Sequence, residues 1–320
     1  ENGRQAPRIE VLGRIAAAVP CRMVRIEGNV TVPLAVASAK EEWSAYTLRR
    51  RLHPHLDFFL EGAENRIPRK SSLGLELGGV FCADIADILA APPGARPSRM
   101  GEQRPREAPL RSQDLVRFDA FLDRRLDRYG EDRSDPTLEG TSGMSEALHY
   151  GRVGPAELVR RVLRAAGERS ASACVHGGAA AFIEELVVRR ELDLKMAAHR
   201  YHYDAPSCPP ALAARTLAEG ALHPRAERYS FARLENADTS DPYWNAAQDQ
   251  MVRTGRMHGH MRMYWGKRLL AWTASPEEAW AAAVRLNDSY SLDGRDPSGY
   301  AGIAWCFGKH DRPWTGRPIY

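Results

Sequence analysis

The tryptophans of this chain are concentrated near its C-terminal end. Six of the seven lie within the last 77 of the 320 residues, namely Trp244, Trp265, Trp272, Trp280, Trp305 and Trp314. Trp265 and Trp272 are seven residues apart, so on a helix they share a face and are separated by roughly 10 Å along the axis. Indoles at that spacing could pass an electron from one to the next. The same spacing is typical of aromatic residues in an apolar core, which is the more frequent role.

Basic and aromatic groups surround Trp265. The stretch RTGRMHGHMRMYWGKR, residues 253–268, interleaves Arg and Lys with His, Tyr and Trp, a composition that can bind phosphates and stack on bases. His258 and His260 would point to different sides of a helix, so we expect no metal site. The loop LNDSYSLDGRDPSGY, residues 286–300, departs from the calcium-loop pattern, and we expect it to hold a different polar ligand.

Glutamates in the middle of a helical pattern are further candidates. In AFIEELVVRREL the spacing of Glu185 with Arg189 favours a surface ion pair, as does that of Glu191 with Lys195. The apolar neighbours of Glu185 would also allow it to be partly buried. Both interpretations remain open on the residues alone.

The stretch TSGMSEALHYGRV, residues 141–153, places small hydroxyl residues and a glycine ahead of a helix. Such a segment can present hydroxyl and backbone N–H groups to a phosphate. It matches neither GxGxxG nor GxxxxGK[ST], so it is not a standard nucleotide loop.

The elements that must position these groups are mostly helices. We expect a short helix over 8–19, one or two short strands over 21–38, and a helix from 39 towards 60 that ends near Pro54. Dense Pro, Gly and Arg predict an irregular linker over 61–112. From 113 onward helices dominate, and the first has an apolar stripe of Leu115, Phe118, Phe121, Leu122 and Leu126.

Further helical patterns cover 154–167, 179–201, 242–254, 258–273 and 275–288. The last begins with Ser275 as N-cap, Pro276 and Glu278, which together predict a capping box.

Composition limits the function classes. Apolar residues make up 43% and charged residues 27% of the chain, and the net charge of +4 permits a nucleic-acid partner without requiring one. Five scattered cysteines without a CxxC pair predict neither a disulfide framework nor a zinc site. Without a signal peptide or an apolar run of about 20 residues, we expect a cytoplasmic protein with no membrane partner, nucleoid-associated in a bacterium. The start without Met suggests a fragment.

The run DPYWNAAQDQMVRTGRMHGHMRMYWGKRLLAW, with SPEEAW, LNDSYSLDGRDPSGYAGIAW and HDRPWTGRP after it, closely resembles class II cyclobutane-pyrimidine-dimer photolyases over 241–318. Further resemblances lie at 27–56, 128–153 and 181–192. The resemblance implies a mainly α fold: a helical FAD-binding domain over 113–320, preceded by the linker 61–112 and by the end of an α/β, Rossmann-like antenna domain over 1–60. It also implies truncation at both ends.

The resemblance implies a role for each matching residue. Cofactor-binding residues would be Tyr129, Thr141, Ser142, Gly143, Met144, Ser145, Arg262, Asn287 and Asp293. The catalytic residues, which would contact the lesion or the flavin, would be Glu185, Asn287, Trp305 and Met263. Electrons would reach the flavin through Trp265, Trp244 and Trp272, and DNA would contact Arg133, Arg312 and Trp314. No metal is implied. Some family members have a second pocket tryptophan where this chain has Arg189.

The implied activity is that of a carbon–carbon lyase that repairs DNA with light. Reduced FAD would donate an electron to a flipped-out dimer, and the electron would return after the ring opens. The partner is UV-damaged DNA, and we expect a monomer. No antenna chromophore is identified. Two alternatives remain: a cryptochrome-like blue-light flavoprotein, and an inactive truncated fragment that binds FAD or DNA without repair.

Overall fold

The computed structural model describes residues 13–18, 27–61, 110–200 and 202–309. Residues 13–18 are helical. The helices that follow are α1 (Leu34–Ala37), α2 (Ala45–Leu60), α3 (Arg111–Arg125), α4 (Tyr129–Asp132), α5 (Ser145–His149), α6 (Pro155–Ala165), α7 (Gly177–Ile183), the π-helix π1 (Glu184–Arg189), α8 (Arg190–His199), α9 (Ala211–Ala221), α10 (Phe231–Glu235), α11 (Pro242–Thr254), α12 (Gly259–Trp272), α13 (Pro276–Tyr290) and α14 (Pro297–Cys306).

The described chain has two apolar cores joined by one continuous helical rod. The first core contains buried residues between Val32 and Leu192, and the second contains those between Met196 and Phe307. Because α7, π1 and α8 follow one another without a break from residue 177 to residue 199, this rod contributes to both. The predicted stripe of α3 faces the first core: Phe118, Phe121 and Leu126 are buried, and Leu115 and Leu122 are partly buried against it.

The mainly α class is confirmed, and the predicted helices from 113 onward form close to their expected bounds. In the last of them, α13, Ser275 accepts a hydrogen bond from Glu278 N, as a capping box requires. The Glu278 carboxylate in turn accepts from Ala274 N at 2.8 Å, one residue before the expected partner. Almost all of the predicted linker, residues 62–109, lies outside the described residues.

The strands predicted over 21–38 are wrong for the part that is described. Residues 27–38 contain turns and α1, and no strand. Their backbone groups bind side chains of α8 instead: Thr31 N donates to Glu191 at 2.5 Å, and Lys195 Nζ donates to Leu34 O at 2.9 Å and Ser38 O at 2.5 Å. Glu191 and Lys195 are therefore buried polar anchors and not the predicted surface pair.

The helix α2 continues six residues beyond Pro54 to Leu60, so the prediction that it ends near Pro54 is wrong. An internal proline costs a helix about 3 kcal/mol. The same face of α2 buries Leu48, Leu52, Leu56 and Leu60 almost completely, and each buried leucine contributes roughly 1.5–3 kcal/mol. Apolar burial thus outweighs the lost backbone hydrogen bond.

No helix within the described residues is long and apolar enough to cross a membrane.

Gly266 lies where α12 and α14 approach each other closely. A Cβ atom at this position would lie 2.6 Å from Cys306 Sγ. We expect Gly266→Ala to lower the free energy of unfolding by about 1–2 kcal/mol in urea denaturation, because the helices must separate to admit a methyl group. Gly259→Ala is the control, since a Cβ there has no atom within 4 Å. An equal loss in both variants would contradict this explanation.

Candidate active site

The larger of two adjoining cavities lies between α3, the segment 136–146, the turn between α11 and α12, and residues 292–293. Its volume of about 540 Å³ is in the range of small-molecule sites. Six of the residues predicted to bind a cofactor line it, namely Thr141, Ser142, Gly143, Ser145, Arg262 and Asp293. Gly143 adopts a φ of +66°, a conformation that favours glycine.

Arginines crowd the wall of this cavity. Those that line it are Arg117, Arg124, Arg125, Arg256 and Arg262. Burial lowers the pKa of Arg117, and the charge of Arg256 lowers it further, although Asp114 and Glu146 raise it. An anionic ligand in the cavity would add a favourable interaction with these guanidinium groups. Hydroxyl and guanidinium groups that line the same cavity suit a phosphate-containing molecule.

Arg262 and Asp293 form an ion pair between the two cavities. Arg262 NH2 donates to Asp293 at 2.8 Å and to Ser291 Oγ at 2.9 Å. Burial alone raises the pKa of Asp293, but the charge of Arg262 and hydrogen bonds from Arg262, Ser291 and Ser145 lower it to about 2. Asp293 is therefore ionised over the physiological range, and the pair fixes the loop after α13 against α12.

The smaller cavity, of about 40 Å³, shares Met257 and Arg262 with the larger one. Its other lining residues include Met263, Trp265, Asn287 and Ser298. Asn287 is buried, and its amide donates to Asp288 at 3.2 Å. A Cβ on Gly299 would lie 3.2 Å from the same amide nitrogen. The glycine therefore leaves one side of Asn287 open to the cavity.

Three buried indoles extend from this small cavity into the second core. Trp265 lines the cavity and stacks on Trp244, with ring centroids 6.3 Å apart and planes within 5° of parallel. Trp244 contacts Trp272 edge-on at 5.4 Å. Asp241 caps α11 and accepts from Trp244 N at 3.0 Å, while the Trp244 indole donates to Trp265 O at 3.0 Å. These bonds fix α11 so that Trp244 lies between two indoles of α12.

The π-helix changes which side chains meet on the rod. Because one π turn is a residue longer than an α turn, Arg189 pairs with Glu184 at 3.6 Å and not with Glu185. Glu185 instead lies 3.1 Å from Arg133, on α4's C-terminal side. The predicted pair of Glu185 with Arg189 is therefore wrong. Glu185, which the resemblance assigns to the lesion site, therefore lies beside Arg133, which the resemblance assigns to DNA binding.

Tyr129 and Met144, both predicted to bind a cofactor, have their side chains in the first core. Tyr129 contacts Phe121 and Phe182 edge-on at 5.7 Å and 5.3 Å. Burial and the neighbouring charge of Glu185 together raise its pKa to about 12. Trp305 is 37% exposed at the end of α14. Arg312 and Trp314 lie outside the described residues.

The chain aligns with curated proteins over most of its length. It is 42% identical over 313 residues to the deoxyribodipyrimidine photo-lyase of Methanothermobacter thermautotrophicus, covering 97% of this chain and 66% of that protein. Proteins of the same name from Oryza sativa subsp. japonica and Potorous tridactylus are 38% and 35% identical, covering 92% and 93% of this chain and 58% and 54% of theirs. The chain belongs to the photolyase family. No family model matches it.

This photolyase-family chain shares its fold with solved structures of a photolyase and a cryptochrome. A bacterial class III photolyase from Agrobacterium tumefaciens superposes with a TM-score of 0.66 at 17% identity, covering 94% of this chain and 58% of that one. A cryptochrome from Synechocystis sp. PCC6803 gives 0.50 at 18% identity, covering 71% and 44%. The chain spans between about half and two thirds of the length of the curated relatives it matches.

Some residues of this candidate site were not predicted from the sequence. The cavity wall also contains Arg117, Arg124 and Arg125 of α3 and Glu146 of α5. In the sequence these arginines lie next to the apolar residues of α3, and that position is the feature from which they could have been predicted. Their convergence on the segment 136–146 depends on how α3 packs against it, which periodicity along one helix does not reveal.

Proposed function

We propose that this chain is the catalytic part of a class II photolyase that binds FAD and cleaves cyclobutane pyrimidine dimers in UV-damaged DNA with light. The observation that carries the proposal is the file of Trp265, Trp244 and Trp272, which begins at the wall of the small cavity where Asn287 lies. A cavity joined to buried, contacting indoles suits a redox cofactor that exchanges electrons with its surroundings.

The residues present fit FAD in their donor chemistry. Thr141, Ser142 and Ser145 would hold the phosphates and ribose through hydroxyl and backbone N–H groups, together with the cavity's arginines. The small cavity would hold the edge of the flavin ring against Asn287. Its wall includes Ser298, whose buried Oγ has no hydrogen-bond partner within the described residues. A buried hydroxyl of this kind is satisfied when a polar ligand edge reaches it.

On the lesion side, Glu185, Met263 and Trp305 would hold a dimer that has left the DNA stack. A cyclobutane dimer stacks and pairs poorly, so flipping it out costs less than flipping an intact pair. Trp305 offers an exposed indole face, Glu185 a carboxylate held by Arg133, and Met263 an apolar contact at the small cavity. These residues would orient the dimer and exclude water, and a reduced flavin bound in the small cavity would supply the light-driven electron.

The test combines an absorption spectrum with a cleavage assay. Purified protein is expected to carry flavin absorbance, and after chemical reduction it should cleave a dimer-containing oligonucleotide under blue light and not in the dark. Flavin absorbance without cleavage would favour a cryptochrome-like light sensor. Absence of flavin even after reconstitution would overturn the FAD assignment. The prediction that Arg312 and Trp314 contact DNA is tested with alanine variants of each, whose binding to a labelled oligonucleotide is measured by fluorescence anisotropy.

Trp305→Ala is expected to weaken binding of dimer-containing DNA by about 1–3 kcal/mol, the usual contribution of one aromatic stacking partner. Fluorescence anisotropy of a labelled oligonucleotide measures the effect. Binding of undamaged DNA should change little, because an unflipped base does not reach the indole. Equal weakening for both oligonucleotides would place Trp305 on a general DNA surface and not in a lesion pocket.

A further inference from the structure

The exposed indole of Trp305 has a cation beside it. The guanidinium carbon of Arg189 lies 5.7 Å from the centroid of the Trp305 ring, within the range of a cation–π contact. Trp305 is at the end of α14, whereas Arg189 is the last residue of the π-helix π1. The same π-helix carries Glu185. Arg189 is thus directed to the lesion side of the molecule.

The charge of Arg189 acts on Glu184 and Asp193, but the side chain forms no hydrogen bond with either in the described part of the chain. Its neighbour Glu184 lies 3.6 Å away, beyond hydrogen-bond distance. Both oxygens of that carboxylate already accept from Arg49, at 2.9 Å and 2.6 Å. The Nε atom of Arg189 is buried without a hydrogen-bond partner within the described residues. The side chain is nevertheless 41% exposed, so its outer nitrogens can reach a ligand.

We propose that Arg189 binds the phosphate of the dinucleotide whose base stacks on Trp305, and that it thereby selects flipped-out lesions; this inference rests on the proposed function. A nucleotide carries its phosphate only a few ångströms from its base. A base on the exposed part of the indole therefore brings a phosphate to the guanidinium that lies over the ring. Guanidinium donors match phosphate oxygens in geometry and charge.

A phosphate contact and a contact to the edge of a base differ in their dependence on salt. Each neutralised phosphate contributes about 0.7–0.9 to the slope of log affinity against log salt concentration. A hydrogen bond to a base carbonyl contributes little to that slope. Lysine keeps the charge and loses the planar fork of donors, whereas glutamine keeps polarity and loses the charge.

The experiment measures binding by anisotropy across a salt series for Arg189→Gln and Arg189→Lys. The probes are an oligonucleotide with one cyclobutane dimer and its undamaged counterpart. Arg189→Gln is expected to weaken lesion binding roughly tenfold, as for a lost charged hydrogen bond, and to reduce the slope by about 0.7–0.9. Arg189→Lys should keep the slope. Binding of undamaged DNA should not change in either variant.

Arg233→Gln is the matched control. Arg233 lies over the ring of Tyr229 at 4.7 Å and is 50% exposed, so it shares the cation–π contact, whereas its guanidinium already donates to Asp238 at 2.9 Å. An unchanged slope in Arg189→Gln, or an equal change for undamaged DNA, would overturn the inference. If the wild-type protein does not prefer the lesion at all, the proposed function itself fails.

Discussion

Trp265→Phe is expected to slow light-driven reduction of bound oxidised flavin by an order of magnitude or more, while dimer cleavage by chemically reduced protein stays near the wild-type rate. A phenyl ring is much harder to oxidise than an indole, so it interrupts a path that begins at Trp265. The next indole, Trp244, stacks on it with centroids 6.3 Å apart. Because reduction in advance bypasses this path, only photoreduction depends on it. The flavin spectrum under illumination with an external reductant measures the first rate.

The control is Trp280→Phe, because Trp280 is also a buried indole of the second core. It packs against Phe307 at 5.1 Å and donates to Asp204 O at 2.9 Å, outside the file of three. Both substitutions remove one indole hydrogen bond, that of Trp265 being to Gln248 at 2.9 Å, so each should cost about 1 kcal/mol of stability. If photoreduction and cleavage fall together in Trp265→Phe, or if Trp280→Phe slows photoreduction equally, the assignment is wrong.

The indoles also illustrate how far sequence alone reaches. The seven-residue spacing correctly predicts that Trp265 and Trp272 share a face of α12. Nothing in that spacing indicates that Trp244, from α11, lies between them. That arrangement depends on the capping bonds of Asp241 and on the packing of two helices. Only the family resemblance grouped the three residues, and their role in electron transfer stays a prediction.

The rod from 177 to 199 marks a second limit. Its apolar pattern predicts a helix, and the structure confirms one. The π-turn inside it is not predicted, because a single added residue per turn leaves the local composition unchanged. As a result, the partners of Glu185 and Arg189 were assigned wrongly from i,i+4 spacing. By contrast, the hydroxyl-rich segment 141–145 was predicted to face a ligand, and four of its five residues line the larger cavity.

Glu191→Gln is expected to stabilise the protein relative to the wild type progressively as the pH rises. Burial raises the pKa of Glu191 from 4.5 to about 7, despite the hydrogen bond from Thr31. Below pH 4.5 the carboxyl is protonated in both folded and unfolded chains. Between 4.5 and 7 the unfolded chain loses this proton while the folded chain keeps it, so the folded state becomes relatively less stable. The raised pKa corresponds to about 3 kcal/mol at pH 8.

Urea denaturation from pH 4 to pH 8 measures this difference between the wild type and the variant. Glutamine resembles the protonated carboxyl in shape, so the variant should gain stability relative to the wild type steadily up to about pH 7. The slope that remains in the variant from about pH 4 to pH 8 is assigned to Asp193, whose pKa burial raises from 3.8 to about 8. A constant difference across the whole range would show that Glu191 does not titrate in this window.

Glu41→Gln provides the control of opposite sign at a different contact of the N-terminal segment, with Arg200 and Lys309. Burial raises the pKa of Glu41, but hydrogen bonds from Lys309 and Arg200 outweigh it and lower the pKa. Its ionised form therefore stabilises the fold above its ordinary pKa, and glutamine there should lower stability at neutral pH. Opposite pH dependence in these two glutamates would show that each follows its own partners: Glu191 bonds to a backbone amide, whereas Glu41 bonds to two cations.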